Sequence, residues 1–309
     1  MTGYDPEHRF REITLPFILF TLIWSSTWIV IRDQLGVVPP FWSVTYRFII
    51  AAAAMALLAK VQGHSLKLDR AGIRVAAVVG LCQFCVNFIA VYLAERHITS
   101  GLVATVFALL LIPNSLLAWA FLGQRPTMRF LASAMVAVAG VALLFIHEVQ
   151  DNPAMHGAIL LGIALTFVGM FGAAAATVFQ AHEQARRYPL TVILAWAMAI
   201  GAVIDGVLAL TFSGPPVFDP RPQYTVGLFY LAIVASVIAF SLYFPVVRKI
   251  GPGRAAYSSV LTPILAMALS TMFGGSRWTW LAAAGVALAL GGMLLALGGR
   301  RIAGADPTP

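Results

Sequence analysis

Two ionisable side chains, Arg47 and Asp205, interrupt long apolar stretches of this 309-residue chain. An ionisable group inside a bilayer costs several kcal/mol unless it is paired or wetted, so each is a functional candidate by position. A guanidinium at Arg47 can hold a carboxylate, or Arg47 and Asp205 can pair as a charged gate. The alternative for both is a snorkelled or water-exposed charge near the mouth of a pore. Counted at 1.5 Å per residue from the ends of their apolar runs, both lie about 10 Å below the same membrane boundary.

Uncharged groups with hydrogen-bonding capacity recur in the same runs. Gln83 and Asn87 stand four residues apart and share a helix face, as do Ser258 and Thr262. Ser236 and Tyr243 lie in one run, and Trp24 and Trp28 in another. Amides and hydroxyls can hold an ammonium and a carboxylate, while Trp24 and Tyr243 offer an aromatic wall or a cation-π contact. The competing use of each residue is interhelical hydrogen bonding or packing. Pro113 and Pro263 sit near the middles of their runs, where a proline removes one backbone hydrogen bond and bends the helix, as a hinge or as a static kink.

These residues need elements to carry them, and composition says which. The chain is 60% hydrophobic and 10% charged, with a mean hydropathy of +0.88, far from the roughly 25% charge of a soluble domain. A membrane helix takes about 20 apolar residues. Runs bounded by polar or Pro/Gly punctuation fall at about 13–31, 41–59, 73–93, 99–121, 128–146, 157–179, 190–212, 224–246, 253–273 and 278–298. The sequence therefore predicts an all-α integral membrane protein with ten transmembrane helices and short connections. The first run, preceded by Arg9 and Arg11, is too long for a signal peptide and reads as a retained helix.

With the N terminus inside, the inner segments hold 15 Lys and Arg residues and the outer segments four, Arg32, Arg96, Arg221 and Arg277. That asymmetry follows the positive-inside rule, predicts cytoplasmic termini, and accounts for the formal charge of +8 without a nucleic-acid partner. The segments Ala139–Leu144 and Leu290–Leu295 resemble each other at an offset of about 150 residues, which also sets Pro113 near Pro263 and Gly123 near Gly274. The chain thus divides into residues 1–150 and 151–309, each with five helices. Five being odd, the second copy is expected to cross in the opposite sense, the inverted repeat of secondary transporters.

Several residues carry a family resemblance. Trp24-Ser25-Ser26-Thr27-Trp28, Arg47-Phe48 followed by small residues, Pro113, Gly123-Gln124-Arg125-Pro126-Thr127 and Gly140 resemble the ten-helix EamA-type branch of the drug/metabolite transporter superfamily. Within it the chain is most similar to YddG-type exporters of aromatic and other amino acids. The resemblance covers nearly the whole chain. It implies a bacterial cytoplasmic (inner) membrane location and a central cavity lined mainly by the third, fourth, eighth and ninth helices. Trp24, Gln83, Asn87, Ser236, Tyr243, Ser258 and Thr262 then become the expected substrate-binding residues. The family often carries Glu after the Gly at the end of the fourth helix; here Gln124 stands there, and Gly275 or Ser276 in the second copy, which puts ion coupling through that acid in doubt.

Other chemistry is missing from the sequence. It has no Walker A loop, no Gly-x-Ser-x-Gly elbow and no zinc-ligand His cluster, so no enzyme activity, cofactor or metal site is expected. Cys82 and Cys85 read as small apolar residues, Trp42, Trp278 and Trp280 as an interfacial aromatic belt, and Ala287 and Gly291 as close helix packing. His97, His147 and His156 fall at outer boundaries or loops. The expectation is a secondary transporter that exports neutral and aromatic amino acids by alternating access. Facilitated diffusion is favoured, with Asp205 as the acid available for proton coupling, and no obligate protein partner is implied. Cationic drugs or other small metabolites are the alternative cargo.

Overall fold

The computed structural model describes residues 10–128, 130, 132–136, 138–140, 142, 156–256, 258, 259, 262, 284, 287, 288 and 291. Among these, seven helices are long and apolar enough to cross a membrane: α1 (Phe10–Gln34), α2 (Pro40–Val61), α3 (Arg70–Ala94), α4 (Ser100–Leu122), α5 (Gly157–Ala181), α6 (Leu190–Ser213) and α7 (Pro222–Ile250). They match the first four and the sixth to eighth predicted runs, with ends moved by a few residues. The protein is an all-α integral membrane protein, and no strand occurs among the described residues. Pro263, Gly274, Trp278, Trp280 and His147 lie outside the described residues.

Local chemistry sets the helix ends. Pro40 and Pro222 occupy first-turn positions, where a missing N–H costs nothing. Asp69 caps α3 by accepting from the Gly72 N–H at 2.7 Å and also receives the Tyr188 hydroxyl at 2.7 Å. Gly123 closes α4 at φ +68°, a conformation that costs glycine little. Large apolar side chains such as Leu57, Val61, Val203, Val207, Leu210 and Phe212 remain exposed on the outside of the bundle. That is the stripe a lipid-facing surface requires and a water-facing one would not tolerate.

Helix α3 runs through the middle, and glycines let its neighbours close on it. A Cβ at Gly80 would stand 2.6 Å from the Ala197 carbonyl oxygen of α6; one at Gly201 would stand 2.8 Å from Phe84 Cβ, and one at Gly172 of α5 2.7 Å from the Cys82 carbonyl oxygen. Phe84 and Cys85 consequently face α6, leaving Gln83 and Asn87 for another side of α3.

Besides the π-helical start of α1 at Phe10–Thr14, two stretches of π-helix interrupt spans among the described residues, Gly80–Asn87 in α3 and Tyr230–Ile238 in α7. They begin 150 residues apart, the offset of the internal repeat, and so occupy the same place in the third helix of each copy. Helix α4 tightens to a 3-10 turn at Ala108–Leu110, just before Pro113. Pro113 itself is buried and the distortion falls on its N-terminal side, where its ring would crowd a regular helix. The aromatic-belt expectation fails at Trp42, which is 6% exposed, packs with Val38, Ala209, Tyr224 and Leu228, and donates Nε1–H to the Gly214 carbonyl at 3.2 Å. The connection after α6 folds over this end of α2 and covers the ring.

Candidate functional site

A cavity of about 110 Å³ lies between the helices at the level of the π-helical stretches. Helix α1 contributes Trp24, Thr27, Trp28 and Ile31 on one face, and α3 contributes Gln83, Asn87, Phe88 and Val91. The 3-10 region of α4 brings Phe107 and Leu110, α5 Ala173 and Thr177, α7 Phe240 and Tyr243, and the segment after α7 Ser258, Ser259 and Thr262. Arg47 of α2 completes the wall.

The aromatic rings are interlocked rather than free. Trp24 lies 4.9 Å from Tyr243 and 5.3 Å from Phe240 between ring centroids, and its Nε1–H is spent on the Ala235 carbonyl at 3.1 Å. The Thr177 and Tyr243 hydroxyls meet at 3.2 Å. Ser258 and Thr262 satisfy backbone carbonyls within their own turn, and Ser259 reaches the Ala108 carbonyl at 3.2 Å, in the turn that Pro113 distorts. These residues shape the walls with their hydrogen-bonding capacity largely committed.

Arg47 is different. It is 1% exposed, and its guanidinium carbon sits 4.3 Å from the Phe88 ring centroid and 5.4 Å from that of Phe48. Its Nε donates to Ser236 Oγ at 3.0 Å, and Ser236 in turn donates to the Leu231 carbonyl at 2.8 Å, inside the π-helical stretch of α7. The Tyr92 hydroxyl lies beside the guanidinium and donates to Gln34 Oε1 at 3.2 Å. No carboxylate among the described residues forms an ion pair with Arg47, and its Nη1 has no hydrogen-bond partner. Trp28 Nε1 and Asn87 Oδ1, also on cavity-lining residues, are left without partners too. Buried polar atoms are nearly always satisfied, so three orphans around one cavity, two donors and an acceptor, mark a place where a polar ligand has something to meet.

The structure thus brings Trp24, Gln83, Asn87, Tyr243, Ser258, Thr262 and Arg47 to one cavity, with Ser236 behind Arg47. It does not bring Asp205 there. Asp205 is fully buried in α6 with the Cys85 thiol placed to hydrogen-bond its carboxyl, and no Arg47–Asp205 ion pair forms. The pairing fails because α6 turns this face toward the tightly packed back of α3. Among the contributors absent from the sequence reading are Phe88 under the guanidinium, Thr177 from α5, and the α4 turn carrying Phe107. Phe88 follows Asn87 directly, so the expected amide face hid it. Thr177 stands at the end of a Gly/Ala run, where its isolated hydroxyl is the available signal. No group of three or more His, Cys, Asp or Glu that could hold a metal ion occurs among the described residues.

A bundle of apolar helices around a central cavity, with distortions in the third helix of each half, suits a membrane transporter. The EamA-like transporter family model matches this chain at residues 13–146 and again at 160–298, so the chain belongs to that family and is a multi-pass membrane transporter containing two copies of its repeat. It is 29% identical over 292 residues to the uncharacterized inner membrane transporter YedA of Escherichia coli, covering 89% of each chain. It is 21% identical over 273 residues to Protein PagO of Salmonella typhimurium, covering 85% of this chain and 86% of that one. An Escherichia coli protein named a probable amino-acid metabolite efflux pump is 22% identical over 282 residues, 88% of this chain and 90% of the other. A crystal structure superposes with a TM-score of 0.69 at 20% identity, covering 92% of this chain and 95% of that chain, which supports the fold.

Proposed function

We propose that this protein exports neutral amino acids, aromatic ones foremost, across the cytoplasmic membrane by alternating access, in the manner of YddG-type exporters. The observation that carries this reading is Arg47: a buried guanidinium at the wall of an aromatic cavity, held by its Nε edge, with Nη1 unspent and no carboxylate against it. An unpaired buried cation favours an anionic group on the cargo and disfavours a cation. The substrate α-carboxylate belongs at Arg47 Nη1 and Trp28 Nε1, the ammonium at Asn87 Oδ1, and an apolar side chain among Trp24, Phe240 and Phe107. The same electrostatics weighs against cationic drugs, since no Asp or Glu lines the cavity among the described residues. The name of the amino-acid metabolite efflux pump relative points the same way.

In this reading the halves 1–150 and 151–309 are inverted copies, both termini are cytoplasmic, and the π-helical stretches of α3 and α7 adjust as the halves rock about the cavity. Flux is facilitative, because the acid of the spans that the sequence offered for coupling, Asp205, stands away from the substrate path. The test is counterflow in proteoliposomes preloaded with single amino acids, with and without an imposed pH gradient. Accumulation of labelled Phe, Tyr, Trp, Met or Thr without a gradient is the expected result. No counterflow with any amino acid, in folded and inserted protein, would overturn the assignment and bring cationic drugs forward.

A further inference from the structure

Above the cavity, at the end of α3 remote from the cytoplasmic loops in the proposed orientation, a file of buried polar residues leads outward from Arg47. Tyr92 stands beside the guanidinium and donates to Gln34 at the end of α1, and Gln34 is 1% exposed. One helical turn past Tyr92 comes Glu95, 6% exposed, just beyond the last residue of the α3 span. Its Oε2 accepts from Ser100 Oγ at 2.6 Å, Ser100 being the first residue of α4, while its Oε1 has no partner. The carboxyl therefore ties off the short α3–α4 connection, at the outer ends of two helices that both line the cavity.

We propose that Glu95 is a proton-binding site of the transport cycle, protonated while the outer end of the cavity is closed and ionised when that end opens to water. The closed geometry asks for the neutral form. A carboxylate with one buried oxygen unmet is costly, whereas a carboxylic acid places less charge there. The charged and titratable groups acting on Glu95 among the described residues are Arg32, at the end of α1, and Tyr92 on its own helix; Ser100 of α4 is a neutral donor. Arg32 makes no ion pair with Glu95 to fix the ionised form in place. Burial pushes the Glu95 carboxyl up to about 8, with the Ser100 hydrogen bond and the Arg32 charge pulling the other way.

The sign follows from linkage. The closed state holds the proton more tightly than an open, hydrated state, in which the carboxyl regains an ordinary value. The closed state is therefore favoured at low pH and loses ground as pH rises toward about 8, by at most about tenfold per pH unit, with a plateau above. Because the proton enters and leaves on the outer side, outer pH sets the balance between closed and open states, and the pH gradient does no work on the cargo. Glu95 thus adds proton sensitivity to a facilitative cycle without coupling it.

The test does not depend on the identity of the cargo. In a Cys82→Ala, Cys85→Ala background, Ile31→Cys reports access to the outer part of the cavity, since Ile31 is 3% exposed there. Labelling by a charged maleimide in purified protein is compared with the same protein carrying Glu95→Gln, and the ratio at each pH cancels the thiol's own titration. The expected ratio climbs more than about tenfold between pH 5.5 and 8.5. A ratio that stays within about twofold across that range overturns the proposal. Where Glu95→Gln fails to fold, Ser100→Ala keeps the acid and removes its donor. The labelling profile should then move to higher pH, and an unmoved profile overturns the proposal equally. A labelling response without amino-acid counterflow would retain Glu95 and discard the amino-acid reading.

Discussion

Arg47 and Asp205 are matched in the sequence and opposed in the structure. Each is an ionisable residue inside an apolar helix, each lies at the same depth by residue count, and each is almost completely buried. Arg47 faces inward from α2 to the cavity, lies against Phe88 and is braced by Ser236. Asp205 faces the packed seam between α6 and α3, where Gly80 and Gly201 permit backbone approach and Cys85 is its neighbour. Depth along a helix is readable from the count of residues, but azimuth depends on which neighbour a helix presses against. On the proposed function, the difference separates a charge placed for a ligand from one held in packing.

The largest effect should come from removing the cation at the cavity. Arg47→Ala is expected to lower substrate affinity by about tenfold to a hundredfold, the worth of a hydrogen bond to a charged group, while the protein still folds. Arg47→Lys should recover little, because a lysine has no Nε edge for Ser236 and no planar fork for a carboxylate. Binding of labelled phenylalanine to detergent-purified protein measures both, with monodispersity as the fold control. Wild-type affinity in folded Arg47→Ala would erase the contrast with Asp205 and the role of Arg47 together.

A smaller loss is expected at Trp28, where the unpartnered Nε1–H is the second donor at the proposed carboxylate position. Trp28→Phe keeps most of the ring and its edge-on contact with Phe107, centroids 6.0 Å apart. It should weaken binding by about fivefold, the scale of one neutral hydrogen bond. Trp24→Phe serves as the comparison, since the Trp24 donor is already committed to Ala235, and its affinity for phenylalanine should change less. Equal losses at both positions would mean that ring shape, not the free donor, decides.

Much of this arrangement was legible in the sequence, and the rest was hidden for identifiable reasons. Apolar run length located seven helices, because lipid leaves a spanning backbone few other choices. The i, i+4 spacing of Gln83 with Asn87 and of Ser258 with Thr262 placed four polar residues at the cavity for the same geometric reason. Thr177 escaped because α5 is apolar on all sides by composition, so no periodicity points to one face. The Arg47–Asp205 pairing was unreadable because it depends on helices of different halves. The π-helical stretches escaped because isolated α-helical periodicity assigns every residue a regular rise.

Ser236 sharpens the contrast from behind the cavity. It does not line the wall; it accepts from Arg47 Nε and donates a hydrogen bond to the Leu231 carbonyl. Ser236→Ala should raise KM about threefold with little change in kcat, because a guanidinium held less firmly still carries its charge. Ser236→Thr, which keeps the hydroxyl, should restore most of the affinity. Counterflow kinetics that lose kcat and KM equally in both variants would make Ser236 a packing residue alone.

The smallest expected effect is at the other member of the opening pair. Asp205→Asn removes the ionisable group while keeping its shape, and the cavity and its polar orphans lie elsewhere. Counterflow should stay within about twofold of wild type, and the response to an imposed pH gradient should not change. Thermal stability should hold or rise, because a neutral amide in this buried seam carries a smaller desolvation cost than a charge. Glu95→Gln in the same assay should flatten the dependence on outer pH. The two acids thereby answer different questions: loss of gradient response in Asp205→Asn alone would turn the seam between α3 and α6 into a coupling site and end the facilitative reading. An unchanged gradient response leaves Asp205 as packing and Arg47 as the charge that meets the cargo.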